Sequence, residues 1–315
     1  MSVVIPAYRQ TMLLEKALLS VLCQDMDPHR YEVIVVDSSP DRENADLLER
    51  YRELAACNMR WFVKPAEGPG PSRNLGTREA RGQFIAFLDS DCAATPAWLT
   101  EGLKAFDDTV GIVQGRTEPE PGVARGIFTD YLTVQRESWL YETANIFYRR
   151  DALLACGGFT ADLTPHSITP TGGEDTRVAW RVKRLGWETR FAPAAHVHHA
   201  VKPISKWQWL VNKRLPVFPE LLREFPEFRR FFFLRYFYDA NHFAFCLAVA
   251  GIAASGIWWP AALLVLPYAT LRSAQPSRTL GGIRRPIRAL IYAPRDAVSF
   301  LLLVTASFRY RCVLL

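Results

Sequence analysis

The stretch Gln83–Cys92 reads QFIAFLDSDC. Its unbroken apolar run, Phe84–Leu88, is the pattern of a strand covered on both faces, as in a parallel sheet packed between helices. The run then ends in two aspartates separated by one serine. Such a pair repels itself unless something compensates each charge. A strand-end turn with capping aspartates satisfies that need, and so does a hard divalent cation held by oxygen ligands. These ten residues alone leave both readings open.

SVVIP (2–6), YEVIVVD (31–37), MRWFV (59–63), GIVQG (111–115) and WETRFAP (187–193) also read as strands. Leu13, Leu14, Ala17, Leu18, Val21 and Leu22 recur at helical spacing. Helices are expected over 41–56, near 72–81 and 96–106, and over EDTRVAWRVKRLG (174–186). Residues 125–150 read as a long helix, followed by NIFYRRD. Strand–helix alternation of this kind implies βαβ crossovers and a mostly parallel sheet. Ligands of such sheets bind outside the carboxyl ends of the strands. Pro6-Ala7-Tyr8, Asp37 and Asp89-Ser90-Asp91 all stand at those ends.

The chain has 315 residues, 49% hydrophobic and 22% charged, enough for one large domain or a domain with an appendage. Its six cysteines (23, 57, 92, 156, 246, 312) form no CxxC pair, which speaks against a zinc ribbon or redox dithiol and fits a reducing compartment. MSVVIPAYRQ has neither a basic n-region nor a long apolar run, so no secretory signal is expected.

The net charge of +6 is unevenly spread. From Lys202 onward there are 16 Lys and Arg against 5 Asp and Glu, with aromatics interleaved, as in FFFLRYFY (231–238). The 29 residues His242–Thr270 carry no Asp, Glu, Lys or Arg. A helix rises about 1.5 Å per residue, so roughly 20 residues cross a bilayer core of about 30 Å. Pro260 and nearby glycines offer a break, so the run either spans once, tilted, or forms a re-entrant hairpin. AVSFLLLVTASF (297–308) is too short to span alone and reads as interfacial, part of a longer helix from Ile287. These apolar runs direct the basic segment to a membrane rather than to nucleic acid. The expected organisation is a catalytic domain (1–205), a basic and aromatic membrane-interface segment (206–240), and transmembrane or re-entrant helices with an interfacial tail (241–315).

Four further constellations carry chemistry. Asp37 suits a ribose hydroxyl or base edge, or equally an Asx-turn in SSPD; no GxGxxG follows the first strand. In GPGPSRNLGTREARG (68–82), Arg73 and Asn74 stand at a helix start, facing a phosphate or carboxylate, or merely leave a Pro/Gly loop. GGEDTRVAWRVKRLGW (172–187) puts Glu174 and Asp175 at a helix N-terminus, as dipole partners or as a general base. Among His196, His198 and His199, an extended chain puts 196 and 198 on one face and 199 on the other. One of them completes a metal shell, or the three form a solvated cluster.

Taken in order, SVVIPAYRQ, VIVVDSSPD, GPGPSRNLGTREARGQFIAFLDSD, NIFYRRDALLACGGF and GGEDTRVAWRVKRLGWETRFAPAAHVHH resemble the motifs of the family 2 glycosyltransferases, over about residues 1–200. The resemblance implies the GT-A fold, Rossmann-like with a mostly parallel sheet flanked by helices. It implies inverting sugar transfer from a nucleotide-diphosphate sugar, a UDP-sugar first, with Mn2+ or Mg2+. Asp37 would contact the base, with Pro6, Ala7 and Tyr8 beside it. Asp89 and Ser90 would lie at the ribose or metal, and Asp91 on the metal. Arg73 would lie near the nucleotide or support Asp89. Asp175 would be the base with Glu174 its neighbour. His199, with His198 as second candidate, would be a further metal ligand, and Arg214 in WLVNKR would help the leaving diphosphate. Ser38 and Ser39 replace the family's second acid and glycine, and Pro216 stands where members often carry a small or aromatic residue.

The acceptor implied is lipid-linked or a cell-envelope glycan, met by a cytosolic domain at the inner membrane, with loops 115–145 and 157–173 shaping its pocket. Two alternatives remain. A phosphotransferase of the haloacid dehalogenase type needs DxDx[TV], but Ala93 stands at its last position, and the motif follows the fourth strand rather than the first. A non-catalytic membrane scaffold of the same fold has no need of both Asp91 and Asp175.

Overall fold

The computed structural model describes residues 1–160, 172–274 and 285–315. The chain forms two compact units, Met1–Val123 with Tyr131–Lys202, and Ala124–Asp130 with Pro203–Leu315.

The first unit opens with β1 (Ser2–Ala7), α1 (Thr11–Leu22), β2 (Glu32–Asp37), α2 (Ala45–Leu54) and β3 (Asn58–Val63). It continues with α3 (Pro69–Glu79), β4 (Phe84–Leu88), β5 (Cys92–Ala94), α4 (Trp98–Lys104) and β6 (Val110–Pro119). The short β7 (Thr129–Asp130) belongs to the second unit. Then come β8 (Asn145–Arg149), α5 (Arg150–Ala155), α6 (Glu174–Arg184) and β9 (Glu188–His199), and the two-residue β10 (Lys202–Pro203) falls at the boundary of the two units.

Eight strands make one sheet in the order β3-β2-β1-β4-β8-β6-β9-β5. β3, β2, β1 and β4 run parallel. β8 enters antiparallel to both β4 and β6, and β6 and β9 are again parallel. The apolar runs are unbroken because helices cover both faces: Val3–Ile5, Val33–Val36 and Ile85–Leu88 have no exposed surface. The stripe Leu14, Ala17, Leu18 and Val21 is the buried side of α1.

Two expectations are corrected. No long helix forms over 125–150. Asn145–Tyr148 are buried in β8, where pairing to Phe84–Leu88 and Ile112–Gln114 outweighs local helix propensity. The last strand does not stop at Pro193 but runs to His199. Gly115 pairs with Ala192 and Arg116 with His196, so residues 193–195 bulge out of the ladder. A proline fits such an unpaired position because it has no N–H to lose.

Asn145 holds this bulge. Its Nδ2 donates to the carbonyls of Arg116 (2.8 Å) and Ala195 (2.9 Å), and its Oδ1 accepts from Trp98 Nε1 (2.8 Å). Gly115 lies so close that an added Cβ would stand 2.3 Å from the Ala195 carbonyl oxygen and 2.4 Å from Asn145 Nδ2. Gly115→Ala is therefore expected to destabilise the protein by about 1–3 kcal/mol, read as a lower Tm by calorimetry.

The second unit holds α7 (Lys206–Leu210), α8 (Val217–Glu224), α9 (Ala240–Ser255), α10 (Val265–Ala274) and α11 (Arg285–Tyr310). The charge-free run is not one span. It breaks after Ser255, and Pro260 sits in a 3-10 segment, Trp259–Leu264. Ile287–Tyr310 of α11, with mean hydropathy 1.4, is long and apolar enough to cross a membrane by length and composition. The apolar tail is thus part of a longer helix, as the reading from Ile287 expected.

Candidate active site

Asp89, Ser90 and Asp91 form the turn between β4 and β5, closed by the Cys92 N–H donating to the Asp89 carbonyl (3.0 Å). The turn separates the two carboxylates, and each meets its own cation. Asp89 Oδ1 accepts from Arg73 Nη2 (2.8 Å). Asp91 Oδ2 is bonded by Lys202 Nζ and lies 3.7 Å from His199 Nε2. The pairing of Cys92 with His199 between β5 and β9 sets the second group, and it depends on the strand continuing past the bulge.

Arg73, on α3, is 3% exposed. Besides Asp89 it donates from Nη1 to Asp175 Oδ1 (3.1 Å) and Glu174 Oε1 (3.3 Å). Burial works against its charge, but the three carboxylates outweigh burial and raise its proton affinity above the ordinary arginine value. Arg73 is thus the common counter-ion of the DSD turn and the α6 N-terminus, and it supports Asp89.

Glu174 and Asp175 open α6 after Gly173, yet their bonds do not go to that helix's own amides. They go to Arg73, and Asp175 Oδ2 also accepts the Thr143 N–H (3.1 Å). Burial, and then the charge of Glu174, push the Asp175 carboxyl up to about 7 against the pull of Arg73. Its side chain keeps 23% of its surface exposed. A reachable carboxylate that titrates near neutrality is equipped for proton transfer.

At the end of β2, Asp37 Oδ1 accepts from Ser39 N–H (3.0 Å), Ser39 Oγ (2.6 Å) and Asn44 Nδ2 (3.2 Å). The Asx-turn is therefore real, and Ser39 fills a structural place. Oδ2 makes no hydrogen bond among the described residues, so one oxygen stays available as an acceptor. The Ala7 carbonyl accepts the Ser38 N–H (2.9 Å), which sets Pro6, Ala7 and Tyr8 beside Asp37, with Tyr8 49% exposed. Arg9 and Gln10 both take φ of 57°, a left-handed pair that turns β1 into α1. The Arg9 N–H donates to Ser39 Oγ (2.6 Å).

Strand alternation sends His198 to the opposite face, its ring 4.5 Å from that of His196, so it is not brought to Asp91. Asp91, Cys92 and His199 place ligand atoms within 4.8 Å of one another. Burial pushes the Cys92 thiol well above its ordinary value, which keeps it protonated and leaves Asp91 and His199 as the hard pair. His199 Nδ1 lies 2.7 Å from the Ala200 carbonyl. That contact orients the ring so that Nε2 faces the Asp91 carboxylate. Asp91 and His199 are the residues that could hold a divalent ion here, in place of the Lys202 ammonium that bonds the same Asp91 oxygen. Arg214 stands in the second unit, exposed.

Sequence reasoning missed Lys202, the Thr143 amide, Asn44 and Asn145. Lys202 was visible only as one more basic residue after HVHHAV, and an amide donor has no side-chain signal at all.

The family model described as "Glycosyl transferase family 2" matches residues 2–161, half of the chain. Glycosyltransferase AglE of Haloferax volcanii is 27% identical over 225 residues, covering 67% of this chain and 71% of that one. The pre-mycofactocin glycosyltransferase of Mycobacterium tuberculosis is 31% identical over 175 residues, 50% of this chain and 36% of its own length. Among solved structures, the mannosyltransferase PcManGT from Pyrobaculum calidifontis, in complex with GDP-Man and Mn2+, superposes with a TM-score of 0.68. It is 20% identical and the match covers 98% of this chain and 87% of that one. Staphylococcus aureus TarS 1-349, in complex with UDP-GlcNAc, gives 0.55 at 19% identity over 99% and 92% of the two chains. Both structures share the GT-A architecture of this chain, a curled sheet, parallel in one half and mixed in the other, flanked by helices. With the motifs at its strand ends in the family's order, the chain belongs to glycosyl transferase family 2.

Proposed function

We propose that the chain moves a sugar from a nucleotide-diphosphate sugar, a UDP-sugar first, to a hydroxyl of a lipid-linked or cell-envelope glycan, with inversion and with a divalent ion. The carrying observation is Asp175, a partly exposed carboxyl raised to about 7 and held against Asp89 through one guanidinium. In this reading Asp175 takes the acceptor proton as the hydroxyl oxygen attacks the anomeric carbon and the bond to the diphosphate breaks. One such displacement inverts the centre. Asp37 Oδ2 receives a base or ribose N–H or O–H, beside Pro6, Ala7 and Tyr8. Asp89 and Ser90 line the ribose, Asp91 and His199 hold Mn2+ or Mg2+, and Arg214 assists the diphosphate. The ion, when bound, supplies positive charge to the leaving diphosphate.

The acceptor reading is supported by the related Staphylococcus aureus TarS, a poly(ribitol-phosphate) β-N-acetylglucosaminyltransferase. The loop 157–173, expected to shape the acceptor pocket, falls mostly on 161–171, outside the described residues. The basic second unit, with its apolar helices, supports attachment at the cytoplasmic face of the plasma membrane and no partnership with nucleic acid.

A panel of nucleotide sugars with Mn2+ tests the reading. One donor is expected to turn over, to stop with EDTA, to resume on adding Mn2+, and to give a product of opposite anomeric configuration by NMR. Asp91→Asn should weaken Mn2+ binding by calorimetry and lower turnover by at least about tenfold. Turnover untouched by EDTA would remove the metal from the scheme.

A further inference from the structure

We propose that the second unit enters an anionic phospholipid membrane from one side and does not cross it. In this arrangement α9 and α10 form a re-entrant hairpin whose tip, Ile257–Trp259, lies among the acyl chains, while α11 lies in the plane of the interface. The inference rests on the membrane reading above and specifies its form.

The hairpin is antiparallel. The Phe245 ring lies 5.5 Å from that of Tyr268, and further along Gly251 packs on Ala261 and Leu264. Its polar ends therefore lie together. Asp239 caps α9 by accepting the His242 N–H (2.8 Å), and Arg272 of α10 pairs with Asp296. At the other end stand Ile257, Trp258 and Trp259, exposed to 95%, 65% and 75%. Three consecutive large apolar residues at a protruding tip mark a contact surface rather than a solvated one. The sixteen residues of α9 reach only about 24 Å at 1.5 Å each. That falls short of a hydrocarbon core of about 30 Å, so a tip entering from one side stops inside the bilayer.

Composition alone would let α11 cross, but its contacts tie it to the polar end of the hairpin. Tyr292 lies 5.9 Å from Trp209 of α7, ring to ring. Asp296 takes hydrogen bonds from Arg272 and from the Tyr268 hydroxyl (2.7 Å). Phe300 lies 6.1 Å from Phe245. Beyond the helix, the Leu315 N–H donates to the Tyr236 carbonyl (2.8 Å) and the Tyr238 N–H to the Leu315 carbonyl (2.7 Å), just ahead of Asp239. The meetings of α11 with the hairpin, through Ala289, Ala293, Asp296 and Phe300, thus lie against Ala244, Phe245, Ala248, Val265, Tyr268 and Arg272, short of the tip.

A crossing α11 would also put Arg295 and Asp296 near mid-bilayer, where charges are costly. Its outward residues Ile287, Leu290, Leu301 and Phe308 follow one helical face, while Asp296, Ser299 and Ser307 are buried on the other side. That is the pattern of an in-plane helix with its apolar side to lipid. The surplus of 16 Lys and Arg over 5 Asp and Glu from Lys202 onward complements anionic headgroups.

The test uses the full chain in membrane vesicles of both orientations, with an epitope tag at each end, and the Ile257→Cys variant. Both tags should be cut by protease from the same face, and the protein should resist a carbonate wash. A membrane-impermeant maleimide should not modify Ile257→Cys from either face, above the wild-type background of the exposed Cys23, until detergent is added. A C-terminal tag protected while the N-terminal tag is cut, or a tip modified from either face, in a carbonate-resistant protein would overturn this arrangement alone. Release from membranes without detergent would overturn the membrane reading and this inference with it.

Discussion

Replacing Asp175 with asparagine is expected to lower turnover by about 10²–10⁴-fold, the usual contribution of a positioned general base, while leaving nucleotide affinity near that of wild type. The side chain keeps its shape and its Thr143 contact but cannot take a proton. The pH dependence separates this from a merely structural role. Burial first, and Glu174 second, raise the Asp175 carboxyl from its ordinary 3.8 to about 7, against the pull of Arg73. Wild-type turnover should therefore rise with pH through about 7 and level off above it, and the residual rate of the variant should show no such rise. Stability runs the other way. A carboxyl whose folded value is raised favours the fold in its neutral form. That contribution is complete below about pH 4 and is lost as pH rises through about 7. Asparagine is neutral throughout, so the variant should melt at a higher temperature than wild type at pH 8 and at the same temperature near pH 3. Steady-state kinetics, nucleotide calorimetry and melting at the two pH values check all three outcomes. Wild-type turnover in the variant would remove Asp175 from the base role.

The parts of this site that were legible in the sequence are those a strand writes locally. β1, β2 and β4 are buried on both faces, so each appears as an unbroken apolar run, and the residues at their ends, Asp37 and Asp89–Asp91, could be named at once. Glu174 and Asp175 announced themselves as acids at a helix start. What stayed hidden was which cation goes with which carboxylate. Arg73 is 16 residues from Asp89 and Lys202 is 111 from Asp91, and only the folded sheet brings them together. β8 was hidden for the same reason. NIFYR carries no alternation, and its partner in β4 lies some 60 residues upstream, so nothing local distinguishes it from the end of a helix. The bulge at 193–195 is likewise a product of pairing, and without it the path of β9 to His199, and so the position of that imidazole, could not be read. The helical tail was legible in kind but not in arrangement. The charge-free run signalled apolar helices, whereas the contacts that fix α11 are side-chain meetings between segments far apart in sequence.

Arg73→Met is expected to cost about 3–5 kcal/mol of stability, the range for removing one partner of a buried ion pair. The reason is the count of charges around one guanidinium. Asp89, Glu174 and Asp175 all lie within 3.3 Å of its terminal nitrogens, and its own side chain is 4% exposed. Methionine fills much of the volume but leaves three carboxylates facing one another with no cation among them. The fold has two responses to that repulsion, opening the contact between α3 and α6 or taking up a proton. The second is measurable apart from stability. Arg73 is the group that pulls Asp175 downward, so without it the rise of turnover with pH should move above 7 even in the molecules that remain folded. Arg73→Lys should recover part of the stability, because charge returns, but not all of it. A single ammonium cannot reproduce a fork that reaches Asp89 with one nitrogen and Glu174 and Asp175 with the other. Denaturant midpoints and pH–rate profiles of the two variants give the ranking wild type, lysine, methionine. A methionine variant as stable as wild type, with an unmoved pH profile, would mean that the carboxylates do not depend on this cation. The assignment of Asp175 as a base tuned by Arg73 and Glu174 would then lose its physical cause.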